Sequence, residues 1–164
     1  MALNRASICK AFIDMLKADT TTLYGQGKLL TYITDDPISY DQSRVNNRNP
    51  SKLFVWCEDT NTVEVRASNE DIEYTLGLKY HAKKAKMINA VNTMDSAYER
   101  IRHLTNVQMY AGGGMMSSYY SDANSQIYLI EPVDSSLPAP VKNDTREIVT
   151  VMESAISVLV NYWT

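Results

Sequence analysis

The chain has 164 residues, of which 45% are hydrophobic and 21% are charged, and these are ordinary values for a globular protein. Its length predicts a single domain (residues 1–164) with a core of its own. The formal net charge of −3 disfavours sequence-independent binding of DNA or RNA through a basic face. The N-terminal residues do not resemble a signal peptide, and no apolar run approaches the roughly 20 residues that span a membrane.

The first third of the chain predicts a helix, a short strand and a long loop. Asn4 is a suitable N-cap for a helix over residues 4–18, where apolar side chains recur at helical spacing. Residues 29–33 form a candidate short strand. Residues 34–51 are polar and rich in Asp, Asn and Pro, and a loop of this length is usually functional or mobile. A plain solvated excursion is the alternative.

Three strand segments follow the loop. Residues 53–57 and 62–67 flank turn-forming residues at 58–61 and therefore predict a β-hairpin. Residues 72–81 alternate apolar and polar side chains, which is typical of a strand with one buried and one wet face.

The second predicted helix, residues 83–108, is the longest. Its apolar seam consists of Met87, Val91, Met94, Tyr98, Ile101 and Thr105, widened by Ile88, Ala97, Leu104 and Val107. The helix dipole disfavours cations at an N-terminus, so the lysines within 83–86 indicate a later helix start or an anionic partner. Glycines at 112–114 end the helix. The Met- and Tyr-rich residues 115–120 form either a loop that covers the core or one that orders on assembly.

The last third predicts two strands joined by a proline-containing connection. Residues 126–131 form the first strand, and residues 132–145 form the polar connection. Residues 147–164 predict one long strand with apolar residues on both faces. Because so long a strand needs partners along its whole length, we expect it to lie centrally in a sheet. One face would pack on the helices and the other would meet a neighbouring subunit or a channel.

No pattern predicts catalysis, a metal site or a cofactor. His81 and His103 lack partners at metal-ligand spacing, and Cys9 and Cys57 are expected to be reduced thiols in apolar surroundings. Adjacent carboxylates lie in turns and on strand edges, where acidic residues are ordinarily solvated. The glycines at 112–114 lack the flanking strand, helix and lysine of a phosphate-binding loop. We therefore expect that the chain is not an enzyme.

The order of elements predicts an α+β fold, an antiparallel or mixed β-sheet with two main helices packed on one face. In this layout the chain resembles the tail-terminator and tail-completion proteins of tailed bacteriophages. The resemblance rests on the helix at 4–18, the variable loop before the hairpin, the helix at 83–108 and the closing strand. It covers nearly the whole chain as architecture, although this family has no diagnostic motif. The loops at 34–51 and 132–145 are longer than in its smallest members.

The resemblance implies a virion structural protein of the phage neck, assembled in the host cytoplasm. Such proteins form a homo-oligomeric, hexameric ring that caps the tail tube and stops its polymerisation. The ring joins the tube protein to head-completion proteins (a stopper or an adaptor), and DNA passes through it without specific binding. No membrane and no cofactor are implied. The implied interface residues are Ile156, Val158, Val160 and Tyr162 in the core or an inter-subunit sheet, and Arg44, Arg48, Met115, Met116, Tyr119 and Tyr120 as loop contacts.

Two alternatives remain at this stage. The first is another neck or tail component, such as a head–tail adaptor, a stopper or a tube protein. A tube protein carries more strand and less helix, so the long second helix disfavours it. The second is a cytosolic α+β enzyme or ligand-binding domain with the loop around Gly112 as a lid. That alternative predicts a monomer or dimer with a deep polar pocket.

Overall fold

A computed structural model describes residues 4–38, 51–82, 87–110, 116, 118–132, 139–142 and 148–163. Within these residues, two helices pack on one face of a six-stranded mixed sheet, which confirms the predicted α+β class. The elements in chain order are α1 (Arg5–Ala18), β1 (Tyr32–Thr34), β2 (Ser51–Val65), β3 (Asn69–Ala82), α2 (Met87–Tyr110), β4 (Ser125–Pro132), β5 (Ala139–Lys142) and β6 (Ile148–Trp163).

The C-terminal strand β6 lies in the middle of the sheet. The strand order is β1–β2–β3–β6–β4, and β5 pairs with β6 beyond the end of β4. β3 accompanies β6 from Asn69 opposite Trp163 to Ala82 opposite Thr150. Only β1 and β2 are parallel, and the other pairs are antiparallel. The expectation of a central terminal strand is therefore confirmed.

The two faces of β6 differ sharply in burial. Met152, Ser154, Ile156, Val158, Val160 and Tyr162 are all buried on the face that meets the helices. The opposite face carries exposed Glu153 and Trp163 between half-buried and buried residues. We call the face toward the helices the inner face and the other the outer face. The apolar inner face, together with that of β3, supplies the floor of the core.

Helix α1 begins one residue after its expected start and ends where predicted. Its buried stripe, at helical spacing, consists of Ile8, Cys9, Ala11, Phe12, Ile13, Met15 and Leu16. Asn4 makes no side-chain cap, although its carbonyl accepts the first helical bond from the Ile8 amide. Its side chain instead bonds to the loop before β4, as described below.

Helix α2 is rotated relative to the predicted seam. Its buried residues are Ala90, Met94, Ala97, Ile101, Leu104 and Thr105. Ile88, expected within the seam, is 61% exposed, and Val91 is half-buried. In this first turn Ala90 is buried in place of Ile88, so the buried stripe is shifted toward Ala90, Ala97 and Leu104. The described part of the helix begins at Met87. The lysines within 83–86, and with them the predicted later start, lie outside the described residues.

The predicted hairpin turn at residues 58–61 is wrong. β2 continues through these residues as one strand, and the hairpin closes instead at residues 66–68, where the Arg66 amide bonds to the Asn69 carbonyl. Register shifts between Cys57 and Asp59 and between Thr62 and Glu64 place extra residues in β2. These β-bulges accommodate turn-forming residues without ending the strand, which is why composition alone misplaced the turn.

The first strand is shorter and later than the candidate at residues 29–33. Leu30 does reach the core, with 2% exposure, but it follows a turn in which Gly25 and Gly27 have positive φ angles of 133° and 72°. Residues 24 and 30 form only an isolated bridge. Regular pairing begins at Tyr32, opposite Lys52 of β2. The glycines thus keep the chain in a turn for longer than the apolar pattern suggested.

Candidate functional site

Two aromatic side chains of β2 stack on the outer face of the sheet. The ring centroids of Phe54 and Trp56 are 5.2 Å apart, and the ring planes make an angle of 18°. Trp56 lies over Gly77, its register partner on β3, where an added Cβ would come within 2.3 Å of the indole atom Cζ2. Both aromatic residues are half-buried. They form an apolar patch on this face.

Nearer the hairpin tip, the outer face is held by polar bonds between β6 and β3. The Asn161 side-chain amide donates to the Asp71 carboxylate, and the Ser157 hydroxyl donates to Glu73 over 3.0 Å. Asp71 and Ser157 are 8% and 6% exposed. These groups therefore bond to each other between neighbouring strands and stabilise the sheet.

The sheet presents two strand edges. β1 pairs with β2 only opposite residues 52–54, and within the described residues no strand pairs with the outer edge of β2 from Val55 to Val65. At the other side of the sheet, β4 pairs with β6 alone among the described strands. Unpaired edges of this kind are sites at which another chain can add a strand.

Exposed apolar side chains gather at the hairpin-tip end of the sheet. Among the described residues the large exposed hydrophobic side chains are Ile38, Val63, Val65, Ile88, Tyr119, Tyr128 and Trp163. Four of them lie at this end: Val63, Val65, Tyr128 and Trp163. Val63 and Val65, on β2, are 52% and 70% exposed, and Tyr128 in the bulge of β4 is 37% exposed. Together with Trp163 at the end of β6, they mark this end of the sheet as the candidate functional surface.

A buried polar network lies under the same end of the sheet. The Asn4 side-chain amide donates to the Tyr120 hydroxyl over 3.2 Å and to the Asp122 carboxylate over 2.9 Å. The Tyr74 and Tyr162 hydroxyls bond to each other, and the Asn4 backbone amide donates to Tyr74 over 3.2 Å. Burial, followed by the bond to Tyr74, raises the pKa of Tyr162 well above its ordinary value. The network ties the start of α1 to β3, to β6 and to the loop before β4.

The interface residues implied by the resemblance fall into three groups. Ile156, Val158, Val160 and Tyr162 are buried in the core of the single chain, which agrees with the core alternative. Both pairing edges of their strand are occupied by other strands of the same chain. Met116 and Tyr120 are also buried, whereas Tyr119 is 41% exposed. Arg44, Arg48 and Met115 lie outside the described residues. The assignment of the whole set to an interface stays a prediction.

The titratable groups show no assembled catalytic set within the described residues. Both cysteines are free, and burial raises the pKa of the Cys9 thiol to about 12. Burial also lowers the pKa of His81 below its ordinary value. No group of three or more His, Cys, Asp or Glu side chains that could hold a metal ion occurs among the residues the structure describes.

One cleft of the described structure is open and lined mainly by hydroxyl groups. Its volume is about 540 Å³, and it lies between the turn after α1 and the first half of α2. Its lining consists of Thr21, Thr22, Gly27, Lys28, Leu29, Thr93 and Ser96. These side chains include neither a general base nor a pair of carboxylates, so the cleft gives no support to a hydrolytic reaction.

Neither described helix has the length and apolarity needed to cross a membrane.

Comparisons with known proteins give a match of fold. A solved structure described as "Virion of native gene transfer agent (GTA) particle" contains a similar chain, with a TM-score of 0.59 and 9% sequence identity. The superposition covers 98% of this chain and 99% of that one. No protein-family model matches the sequence, and no curated protein matches it either. At this identity the likeness shows the shared fold alone.

Sequence patterns did not reveal the residues of the exposed tip. Residues 62–67 were predicted to form a strand, but their pattern does not show that Val63 and Val65 are exposed. Tyr128 was included in an apolar strand, and its exposure follows from the bulge between Ile127 and Leu129. A bulge leaves no reliable pattern in a single sequence. The density of β-branched residues around Val63 was the one signal available.

Proposed function

We propose that this chain is a structural protein of a tailed, phage-like virion. The supporting observation is the likeness of fold, over 98% of the chain, to a chain in a gene transfer agent particle. The layout also resembles that of the neck proteins of tailed phages. The elements that carry this resemblance are the two helices, the long hairpin and the central β6.

Within this class, we assign the chain to the tail-terminator position. Copies would form a hexameric ring on the last ring of the tail tube and stop its growth. The opposite surface of the ring would meet the head-completion protein, either a stopper or an adaptor. A net charge of −3 suits a channel through which DNA passes, because binding by counterion release requires clustered cations. The protein would assemble in the host cytoplasm and remain in the virion neck.

The proposal includes no catalytic activity and no cofactor. The described side chains are committed to packing and to cross-strand hydrogen bonds, as Asn161 with Asp71 illustrates. Among the neighbouring neck and tail proteins, a tube protein is the least suitable alternative. Helix α2, with 24 residues, gives this chain a larger helical part than a tube subunit needs.

Deletion of the gene in the particle-producing host tests this position. A terminator is the component that stops tube growth, so we expect tubes of uncontrolled length and separate filled heads in electron micrographs. Loss of an adaptor or stopper would instead give tails of normal length and heads that lose DNA. Loss of a tube protein would remove tails altogether. Normal infectious particles would contradict a structural role.

Complementation separates the protein from effects on neighbouring genes. Expression of the intact chain from a plasmid should restore tails of normal length. A frameshifted copy of the same gene, matched in length and expression, is the control. The purified protein should also be imaged in negative stain, where a ring supports the hexameric assembly.

A further inference from the structure

We infer that the exposed half of β2, residues 58–65, pairs by backbone hydrogen bonds with the β4 edge of a second copy of this chain. The inference rests on the proposed function, because a ring needs a joint between two different surfaces of each subunit. The joint is nevertheless a property of the purified chain and can be measured in solution without a virion.

Residues 58–65 keep strand geometry with almost no burial. Every one of them is exposed except half-buried Thr60. They pair with β3 on one side, and no other described strand lies along their free edge. An extended segment with both faces in water gains little from the core of its own chain. Its β-branched residues Thr60, Thr62, Val63 and Val65 favour a strand that a partner completes.

The β4 edge matches this segment in length and direction. β4 has 8 residues, Ser125–Pro132, which equals the length of segment 58–65. β2 is antiparallel to β3, β3 to β6, and β6 to β4, so β2 and β4 run in opposite directions. A second copy that continues the sheet in the same orientation therefore sets its β4 antiparallel to β2.

Each edge also exposes apolar side chains that the joint would cover. Val63 and Val65 are 52% and 70% exposed on β2, and Tyr128 is 37% exposed on β4. Cross-strand pairs of an aromatic with a β-branched residue stabilise sheets. The same contacts are absent if the free edges stay in water.

Charge selects β4 over a second β2 as the partner. The β2 segment carries Glu58, Asp59 and Glu64, whereas β4 carries a single acid, Glu131. Two β2 edges paired across a two-fold axis would bring the three acids of each copy together, and like charges disfavour such pairs. The joint is therefore head-to-tail, and the bulges in both strands add the twist that lets a sheet curve toward closure.

The experiment uses lysine substitutions at exposed positions. The Tyr128 hydroxyl also lies within hydrogen-bonding reach of the Asp71 carboxylate, so its variant most needs the check on folding. The double variant Val63→Lys, Val65→Lys blocks the β2 edge, and Tyr128→Lys blocks the β4 edge. Ile88→Lys is the matched control, because Ile88 is equally exposed at 61% but lies on α2. Mass is measured by sedimentation velocity up to millimolar concentration, with circular dichroism as the check on folding.

The wild-type chain and Ile88→Lys should form rings, while each edge variant should dissociate, with an apparent Kd weakened about tenfold or more. An equimolar mixture of the two edge variants should give dimers and nothing larger, since one intact joint remains between them. A wild-type chain that stays monomeric at millimolar concentration overturns the joint, as do edge variants that assemble normally or a mixture that stays monomeric. A normal-tail result in the deletion experiment would refute the neck position without touching these measurements.

Discussion

The indole ring of Trp56 lies directly on the backbone of Gly77, the residue opposite it on the neighbouring strand. The Trp56 ring occupies the space that a side chain at position 77 would fill, so Gly77 is required for packing. The absence of a side chain at Gly77 therefore lets Trp56 lie flat on the sheet and stack with Phe54.

Substitution Gly77→Ala should destabilise the protein by about 1–3 kcal/mol, because the new Cβ would clash with the Trp56 ring and push it off the sheet. Urea unfolding, followed by tryptophan fluorescence and circular dichroism, measures the loss. In a Trp56→Ala background the same substitution should be neutral or slightly stabilising, since alanine restricts the unfolded chain more than glycine does. Equal losses in both backgrounds would show that the ring is not the cause.

The hydroxyl pair of Tyr74 and Tyr162 gives a second prediction. Tyr74→Phe removes one hydroxyl and leaves the Tyr162 hydroxyl and the Asn4 amide short of a partner, at a cost of about 1–3 kcal/mol. The double variant Tyr74→Phe, Tyr162→Phe should lose less than the sum of the two single variants, because both partners are then apolar. A double-mutant cycle of unfolding free energies measures this coupling. Strict additivity would argue against the bond.

The ion pair between Asp19 and Arg100 makes stability depend on pH. Arg100 donates two hydrogen bonds to the Asp19 carboxylate, over 2.6 and 3.1 Å, and these bonds lower the pKa of Asp19. A carboxyl whose pKa is lowered in the folded state stabilises the protein fully above its unfolded pKa of about 4. This contribution is lost as the pH falls through the lowered, folded value.

Arg100→Gln should therefore reduce the unfolding free energy at pH 7 by about 1 kcal/mol, since the pair joins the end of α1 to α2 in a partly exposed position. The difference between variant and wild type should shrink as the pH is lowered below about 4. Chemical unfolding at a series of pH values checks this. Arg102→Gln, which removes an exposed pair with Glu99 on the same helix, is the control and should change little. A pH-independent difference would contradict the linkage.

Periodicity predicted the elements that build the core. The stripe of α1 and the alternation of β3 each have one strongly buried face, so tertiary packing agrees with the local pattern. The length of β6 predicted that it has partners on both sides, and the structure pairs it with β3 along one edge and with β4 and β5 along the other.

The hairpin turn, the orientation of α2 and the exposed tip could not be predicted from the sequence, because they depend on bulges and on contacts between distant residues. Residues 58–61 have the composition of a turn, but they continue strand β2, because a bulge after Cys57 takes up the extra residue. The rotation of α2 exposes Ile88 and buries Ala90, and it depends on tertiary packing that the local pattern does not encode. The exposure of Val63 depends on which parts of the fold pack beside it. The residues around Val63 in sequence do not encode this.

The central place of β6 leads to the last prediction. A chain truncated after Ser154 loses the residues that pair with β3 from Asn69 to Gly77 and with all of β4. The truncation also removes Ile156, Val158 and Val160, which are fully buried. Each loss costs roughly several kcal/mol, whereas a typical domain is stable by only about 5–15 kcal/mol. We expect no soluble, folded protein on expression, as measured by the soluble fraction and circular dichroism. Removal of Trp163 and Thr164 alone is the control and should leave the protein soluble, because Trp163 is exposed. A soluble, cooperatively unfolding chain that ends at Ser154 would show that β6 is dispensable to the core.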